Sequence, residues 1–193
     1  GEGGDPETES AEPTWFEHPA LGRRADIVAI RLPDMNRYKR IALPSSPNGT
    51  LPDLEIGGDH EIFLPTYPVF VVGYPFAKKG PQGTAIWTSG TVASEFGDFE
   101  EPTFLIDSRT REGQSGAPVY RYDKDGNIAA PGNIVFRAPG FVLGGLYSGR
   151  VNSESDIGLV WKRRILVELL EHAANQSSAE QGGGSISPTP NGG

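Results

Sequence analysis

Short apolar and β-branched segments recur between residues 26 and 160, and Gly, Pro, Asn or Asp bounds each of them. Strands of this length, separated by turn residues at this spacing, are typical of a β-sandwich or a β-barrel. The pattern predicts strands at residues 26–32, 67–74, 85–94, 103–106, 117–122, 133–137, 140–147 and 158–160. We therefore expect an all-β domain over most of the chain.

One segment has helical periodicity. Within residues 161–174, apolar side chains recur at helical spacing on one face, and charged side chains occupy the opposite face. The apolar positions are Ile165, Leu166, Leu169, Leu170 and Ala173. The sequence thus predicts that a single C-terminal helix closes the β domain.

The two ends of the chain differ in composition from the part between them. Residues 1–12 hold five acidic side chains, no basic one and no large aliphatic one, which indicates a disordered arm. Residues 176–193 are rich in Gly, Ser and Pro, which indicates a disordered tail. The globular part is therefore expected over about residues 13–175.

Composition excludes several classes of function. The formal charge is −8, from 17 basic and 25 acidic residues, and without a basic cluster we expect no nucleic-acid partner. No apolar run is long enough to span a bilayer, so we expect no membrane partner. The absence of cysteine excludes disulfides, thiolate metal sites and a cysteine nucleophile, and it suits a reducing, cytoplasmic compartment. Metal ligands do not cluster, so no metal or cofactor is expected.

The most specific motif is the hexapeptide at residues 113–118, Gly-Gln-Ser-Gly-Ala-Pro. It suits a nucleophilic serine, Ser115, because small neighbours let the backbone N–H groups of Gly113 and Ser115 approach a developing oxyanion. A plain Gly-Ser-Gly turn explains the hexapeptide equally well. An α/β-hydrolase nucleophile elbow is excluded, since Ala117 stands where that motif needs Gly and a strand follows instead of a helix.

Together with its surroundings, the hexapeptide resembles the trypsin-like (chymotrypsin-fold) serine peptidases, in the disulfide-free bacterial form of HtrA-like enzymes. The resemblance covers about residues 15–174, in the correct order. Its further motifs are Asp26-Ile27-Val28-Ala29, Gly73-Tyr74-Pro75, Thr88-Ser89-Gly90-Thr91-Val92, Leu146-Tyr147-Ser148-Gly149 and Ile157-Gly158-Leu159-Val160 before a helix. It implies a double β-barrel, with residues 13–60 as the C-terminal part of the first barrel and its linker, and residues 61–175 as a complete second barrel with the C-terminal helix.

The resemblance also implies roles for individual residues. Ser115 would be the nucleophile, Gly113 an oxyanion donor, and Asp26 the carboxylate that orients the general base. A surface Asp that caps a strand is the alternative for Asp26. The edge strand on which a substrate backbone pairs would comprise Tyr147, Ser148 and Gly149. Arg109, six residues before the serine, would line the base of the specificity pocket and favour an acidic side chain before the scissile bond.

The general base is not accounted for by the resemblance. In the family the catalytic His lies well before the Asp, and only 25 residues precede Asp26 here. His18 matches a non-catalytic His-Pro, His60 falls in the expected linker, and His172 lies on the helix among charged residues. We therefore expect the His on an upstream segment or a companion chain, and this chain alone to be inactive.

These observations predict a serine endopeptidase that uses a Ser-His-Asp triad and acts on a protein or peptide substrate. A pseudo-peptidase remains as an alternative, in which the edge strand binds a peptide by β-addition without cleaving it. A structural fragment that folds only against a partner is a third, weaker possibility.

Overall fold

The computed structural model describes residues 15–32, 63–96, 101–123, 128–130, 134–136 and 140–182. The described strands are β1 (Trp15–Glu17), β2 (Val28–Ile30), β3 (Pro68–Gly73), β4 (Ile86–Val92), β5 (Thr103–Ser108), β6 (Pro118–Asp123), β7 (Ile128–Ala130), β8 (Ile134–Phe136), β9 (Gly140–Arg150) and β10 (Ile157–Lys162). A helix, α1 (Arg163–Gly182), follows β10 directly, and single 3-10 turns occur at Pro75–Ala77 and Pro81–Gly83.

Six strands close into an antiparallel barrel in the order β10-β5-β4-β3-β6-β9. Strand alternation places β-branched side chains inside it, and Val69, Val71, Ile106, Val119 and Val160 have no exposed surface. The expected mainly β fold with a C-terminal helix is confirmed. The barrel falls within residues 61–175, where the second barrel was expected.

The barrel interior is apolar and partly aromatic. Phe63, Phe96 and Phe104 form ring contacts with centroids 4.9 to 5.7 Å apart, and they belong to the same buried cluster as the barrel valines. The register shifts opposite Val119/Tyr120 of β6 and Leu159/Val160 of β10 each leave an extra residue on β9, Gly144 and Ser148 respectively, so β9 is the strand that bends.

Helix α1 connects the barrel to a small second sheet. β1 and β2 pair antiparallel, with Trp15 opposite Ile30. Phe16 on one face of this sheet packs with Leu169 and Ala173 of the helix, and Trp161 and Ile165 pack with Ala25. Within residues 13–60, the described residues form only this sheet. A full double barrel remains an expectation.

The helix is longer than its periodicity predicted. Trp161 and Lys162 belong to β10, so α1 begins at Arg163, and it continues past Ala174 to Gly182. Residues between Ala174 and Gly182 include good helix formers, and the run of glycines that follows supplies the first strong stop signal. The acidic arm and the tail beyond Gly182 lie outside the described residues. In the described part of the chain, no helix is both long and apolar enough to cross a bilayer.

Candidate active site

Ser115 lies in the exposed loop between β5 and β6. Two glycines in the left-handed region turn this loop, Gly113 at φ +86° and Gly116 at φ +81°. Backbone hydrogen bonds from Gln114 N to Arg111 O (3.2 Å) and from Ala117 N to Gln114 O (2.9 Å) close the two turns. The local sequence therefore forms a tight double turn that presents the serine to solvent.

The side chain of Gln114 anchors this loop to the barrel. It has no exposed surface, its Oε1 accepts a hydrogen bond from Arg111 N (2.7 Å), and its Nε2 donates to Thr88 Oγ1 on β4 (3.0 Å). A buried amide with both ends bonded fixes the geometry around it, because breaking either bond leaves a buried polar group unsatisfied. The residue next to the serine is thus held by the barrel wall.

A second contact sets the orientation of the Gly113 peptide. Phe76 N donates to Glu112 O (2.6 Å), so this carbonyl faces the turn at Pro75–Ala77. In a trans peptide, the N–H of the next residue points in the opposite direction, away from that turn. Within the described part of the chain, neither Gly113 N nor Ser115 N donates a hydrogen bond, so both are available to an oxyanion.

Strand β9 lies directly beside the serine loop. Gly116 N donates to Tyr147 O (2.7 Å), and Tyr147 N donates to Ala117 O (2.9 Å). The next residue, Ser148, falls at the register shift between β9 and β10, and its Oγ donates to Asp26 Oδ2 (3.0 Å). A bulge re-aims a side chain in this way. The structure therefore brings Asp26 and Ser148 together next to the loop that carries Ser115.

Tyr147 contributes to this region through its backbone. Its side chain is 3% exposed and belongs to the barrel core, and its hydroxyl hydrogen-bonds with the buried Thr110 Oγ1. Gly149, two residues on, pairs with Leu159 of β10. On the side of β9 that faces β6, strand pairing ends at Leu146. In the described residues, no strand pairs with Ser148 and Gly149 on that side, so they form an unpaired edge.

Arg109 lies on the surface, with 80% of its side chain exposed. Its Nε is 3.6 Å from Asp156 Oδ2, and Arg111 Nη1 is 3.6 Å from Asp156 Oδ1. The Asp156 carboxylate, in the loop after β9, thus lies between two guanidinium groups of the serine loop. A position at the base of a specificity pocket remains a prediction for Arg109.

The described histidines have structural partners. His18 is 2% exposed, and its Nδ1 accepts hydrogen bonds from Ala20 N and Leu21 N, both at 3.2 Å. Its Nε2 is 3.1 Å from Glu168 Oε2 but lacks hydrogen-bond geometry. His172 Nε2 is 3.0 Å from Gln176 Nε2 on the helix. Neither imidazole hydrogen-bonds with Asp26 or Ser115, and His60 lies outside the described residues.

An aromatic cluster lies on the outer face of the barrel, on the strand that follows the serine loop. Tyr120 is 2% exposed, and its ring contacts Trp87 and Phe141, with centroids 6.4 and 6.2 Å away. Its hydroxyl is buried without a hydrogen-bond partner in the described residues. Burial disfavours the phenolate and raises the pKa of Tyr120 to about 12.

Several residues of the site were missed by reasoning from sequence. Gln114 was given no role from the sequence, and a Gln side chain is usually exposed. The roles of Thr88 and Phe76 depend on tertiary contacts, although Tyr74-Pro75 is a turn signal. In the described residues, no group of three or more His, Asp or Glu side chains is placed to hold a metal ion.

Comparison of the chain with protein families, with curated proteins and with solved structures gave no match in any of the three.

Proposed function

We propose that this chain is the nucleophile-bearing part of a trypsin-like serine endopeptidase, with its general base on an upstream segment or a companion chain. One observation carries the proposal: Asp26 accepts a hydrogen bond from Ser148, whose neighbour Tyr147 is bonded to the loop of Ser115. A carboxylate beside an exposed serine loop is the arrangement that an activating imidazole needs.

The reaction follows from the groups of this chain once an imidazole is supplied. An imidazole takes the Ser115 Oγ proton while Oγ bonds to the scissile carbonyl carbon. The carbonyl oxygen becomes an oxyanion and accepts hydrogen bonds from Gly113 N and Ser115 N. The imidazolium then gives its proton to the leaving amine as the C–N bond breaks, and water hydrolyses the acyl-enzyme. Asp26 stabilises the imidazolium throughout.

The unpaired edge of Ser148 and Gly149 supports a peptide substrate. An extended peptide can add to this edge through main-chain hydrogen bonds, which places its scissile bond beside the serine loop. Because these bonds use backbone groups, the edge accepts many peptide sequences. Neighbouring side chains such as Arg109 then determine which sequences are preferred.

The test is the reaction of the purified chain with a fluorophosphonate, followed by peptide mass spectrometry. Oxyanion donors alone retain part of the rate when a triad member is absent, so we expect Ser115 to react at least about tenfold faster than the exposed Ser153. Ser115→Ala should abolish the preferred modification, and Ser153→Ala should leave it unchanged. Equal reaction of the two serines would contradict the proposed function.

A second candidate is a peptide-binding module without catalysis. The same unpaired edge favours it, together with the lack of a histidine bonded to Asp26 in the described residues. Hydrogen exchange separates the two candidates. Protection of Ser148 and Gly149 amides by peptides, in a chain whose Ser115 shows no preferred reaction with the fluorophosphonate, would favour the binding module.

A further inference from the structure

Two exposed aromatic side chains lie at the turn that contacts the serine loop. Phe76 is 59% exposed and Tyr74 is 42% exposed, and neither belongs to a buried cluster of the described residues. Single exposed apolar residues are common on protein surfaces, but neighbouring ones beside a candidate site indicate a contact surface. We call the exposed side chains of Tyr74 and Phe76 the aromatic pair.

The backbone that carries Phe76 is strained. Phe76 (φ 53°, ψ 32°) and Ala77 (φ 55°) both lie in the left-handed region, which a side chain disfavours and a Gly would occupy without cost. Two hydrogen bonds hold this conformation, from Phe76 N to Glu112 O (2.6 Å) and from Ala77 N to Tyr74 O (2.9 Å). Strain of this kind clusters at functional sites. We therefore expect that the turn keeps the Phe76 side chain at the surface for a contact with another molecule.

The order of the strands fixes the position of the aromatic pair relative to the rest of the site. Strand β6, which follows the serine loop, lies between β3 and β9. Val119 of β6 pairs with Val71 near the end of β3, and Pro118 pairs with Leu146 of β9. The turn that continues β3 and the unpaired edge that continues β9 therefore lie on opposite sides of the serine loop.

The turn contacts the serine loop at Gly113. A Cβ on Gly113 would lie 2.9 Å from Tyr74 O and 3.5 Å from Phe76 N, so the two backbones are packed closely. A peptide that leaves the unpaired edge of β9 and crosses the serine loop therefore meets the aromatic pair next.

We propose that the aromatic pair binds a large apolar side chain of the peptide that reacts at Ser115, and that this side chain belongs to the residue after the scissile bond. The inference rests on the proposed function, in which the residues before this bond pair with the β9 edge. It adds a preference on the leaving-group side, opposite to the side on which Arg109 is expected to act. Burial of apolar surface and contacts between rings would supply the binding free energy.

The test uses two peptidyl phosphonofluoridates that differ only in the ester arm on the leaving-group side. One arm is a phenyllactyl amide and the other a lactyl amide, so the arms present a benzyl or a methyl group. The Ser115 Oγ–P bond forms, the P–F bond breaks with release of fluoride, and the buffer takes the serine proton, while the arm stays on phosphorus. We expect the phenyllactyl probe to modify Ser115 about tenfold faster, the lower end of the discrimination that an apolar contact gives.

Variants decide whether this difference arises at the aromatic pair. Phe76→Ala should bring the two rates close to each other, and Phe76→Leu, which keeps an apolar side chain on the same turn, should retain most of the difference. Leu170→Ala changes another exposed apolar side chain, on α1, and should leave the ratio of the two rates unchanged. Equal rates with the original chain, or a ratio that survives Phe76→Ala, would overturn the inference.

A second measurement locates the arm without a substitution. A phenyllactyl probe with a diazirine on its ring is attached to Ser115 and irradiated, and mass spectrometry identifies the crosslinked residue. We expect the crosslink at Tyr74 or Phe76. Crosslinks at Ser148 or Gly149, or elsewhere outside the turn, would place the arm away from the aromatic pair and overturn the inference.

The inference and the proposed function fail in different ways. If neither probe modifies Ser115 faster than Ser153, the proposed function is wrong and the inference falls with it. If Ser115 reacts preferentially but at the same rate with both arms, only the inference is wrong.

Discussion

Ser148 Oγ donates a 3.0 Å hydrogen bond to Asp26 Oδ2, across 122 positions of sequence. This bond joins the turn before β2 to the strand beside the serine loop. Both residues lie near the surface, so the position of the carboxylate depends on this contact and on the helix that supports the small sheet.

Removing the Ser148 hydroxyl should release the turn at Asp26. Ser148→Ala is expected to lower the free energy of unfolding by up to about 1 kcal/mol, the usual contribution of one hydrogen bond. Urea unfolding measures this change, and faster hydrogen exchange at residues 26–30 locates it. Ser153→Ala, in an exposed loop, should change neither. An unchanged exchange rate at residues 26–30 in Ser148→Ala would show that the bond does not hold the turn.

Gly113→Ala should impair the oxyanion position. At φ +86°, a Cβ on Gly113 would lie 2.9 Å from Tyr74 O, so the peptide must move. We expect a loss of about 1–2 kcal/mol in stability from the left-handed backbone, and about 10²-fold slower fluorophosphonate modification of Ser115. Gly83→Ala is the matched control, since φ is +79° and no atom lies within 4 Å. It should cost similar stability without slowing the modification.

Gln114→Met should destabilise the chain by about 2 kcal/mol, because it leaves Arg111 N and Thr88 Oγ1 without their buried partner. Thr88→Val removes the other end of one of these bonds, so the two substitutions should be less than additive when combined. Thermal or urea unfolding of the original chain, the two single variants and the double variant gives the coupling free energy between Gln114 and Thr88. Additive losses would show that the Gln114–Thr88 bond contributes nothing to stability.

The buried hydroxyl of Tyr120 should make the fold sensitive to alkali. Its pKa in the fold is about 12, whereas tyrosine in an unfolded chain ionises near pH 10. Between these values only the unfolded state loses the proton, so stability should fall as pH rises, by about 3 kcal/mol in all.

Tyr120→Phe isolates this effect. This substitution should remove the part of the stability loss in alkali that Tyr120 causes. It should also raise stability at neutral pH by about 1 kcal/mol, since an unbonded hydroxyl is no longer buried. Tyr122→Phe, at a 40% exposed position on the same strand, should behave as the original chain does. Parallel pH dependences for the original chain and Tyr120→Phe would contradict the assignment.

Arg109 should favour acidic ligands beside the serine. Peptidyl phosphonates with Glu before the reactive phosphorus should modify Ser115 about threefold to fivefold faster than those with Lys, the range of a solvent-exposed ion pair. Asp156→Asn removes the carboxylate that Arg109 and Arg111 share, and it should increase the ratio of the rate with Glu to the rate with Lys. Arg109→Glu should reverse it. Faster reaction of the Lys probe with the original chain would refute the prediction.

The sequence predicted the barrel well because its strands repeat a local signal. Residues 67–74 are a short run of β-branched and aromatic side chains between turn residues, and this composition is visible without knowledge of the neighbouring strand. Strand β1 was missed because Trp15–Glu17 is too short to show a period. The helix was predicted but ended too early, since nothing between Ala174 and Gly182 breaks it.

The site was predictable only in part. Ser115 and Asp26 carry motif signals, but no local pattern shows that Asp26 meets Ser148 across the fold. The burial of Gln114 has no signal in sequence either, because its partners, Thr88 and Arg111 N, are set by the packing of the loop against β4.

The anchoring of Gln114 has a kinetic consequence. If a partner chain supplies the general base, as proposed, a serine loop that is fastened to the barrel wall has no rearrangement to make when that partner binds. Activity should then follow a simple saturation curve, half-maximal when the partner concentration equals its dissociation constant, and should appear without a lag after mixing. Under the proposed function, the concentration of the partner alone would then set the activity, and dilution would reverse it.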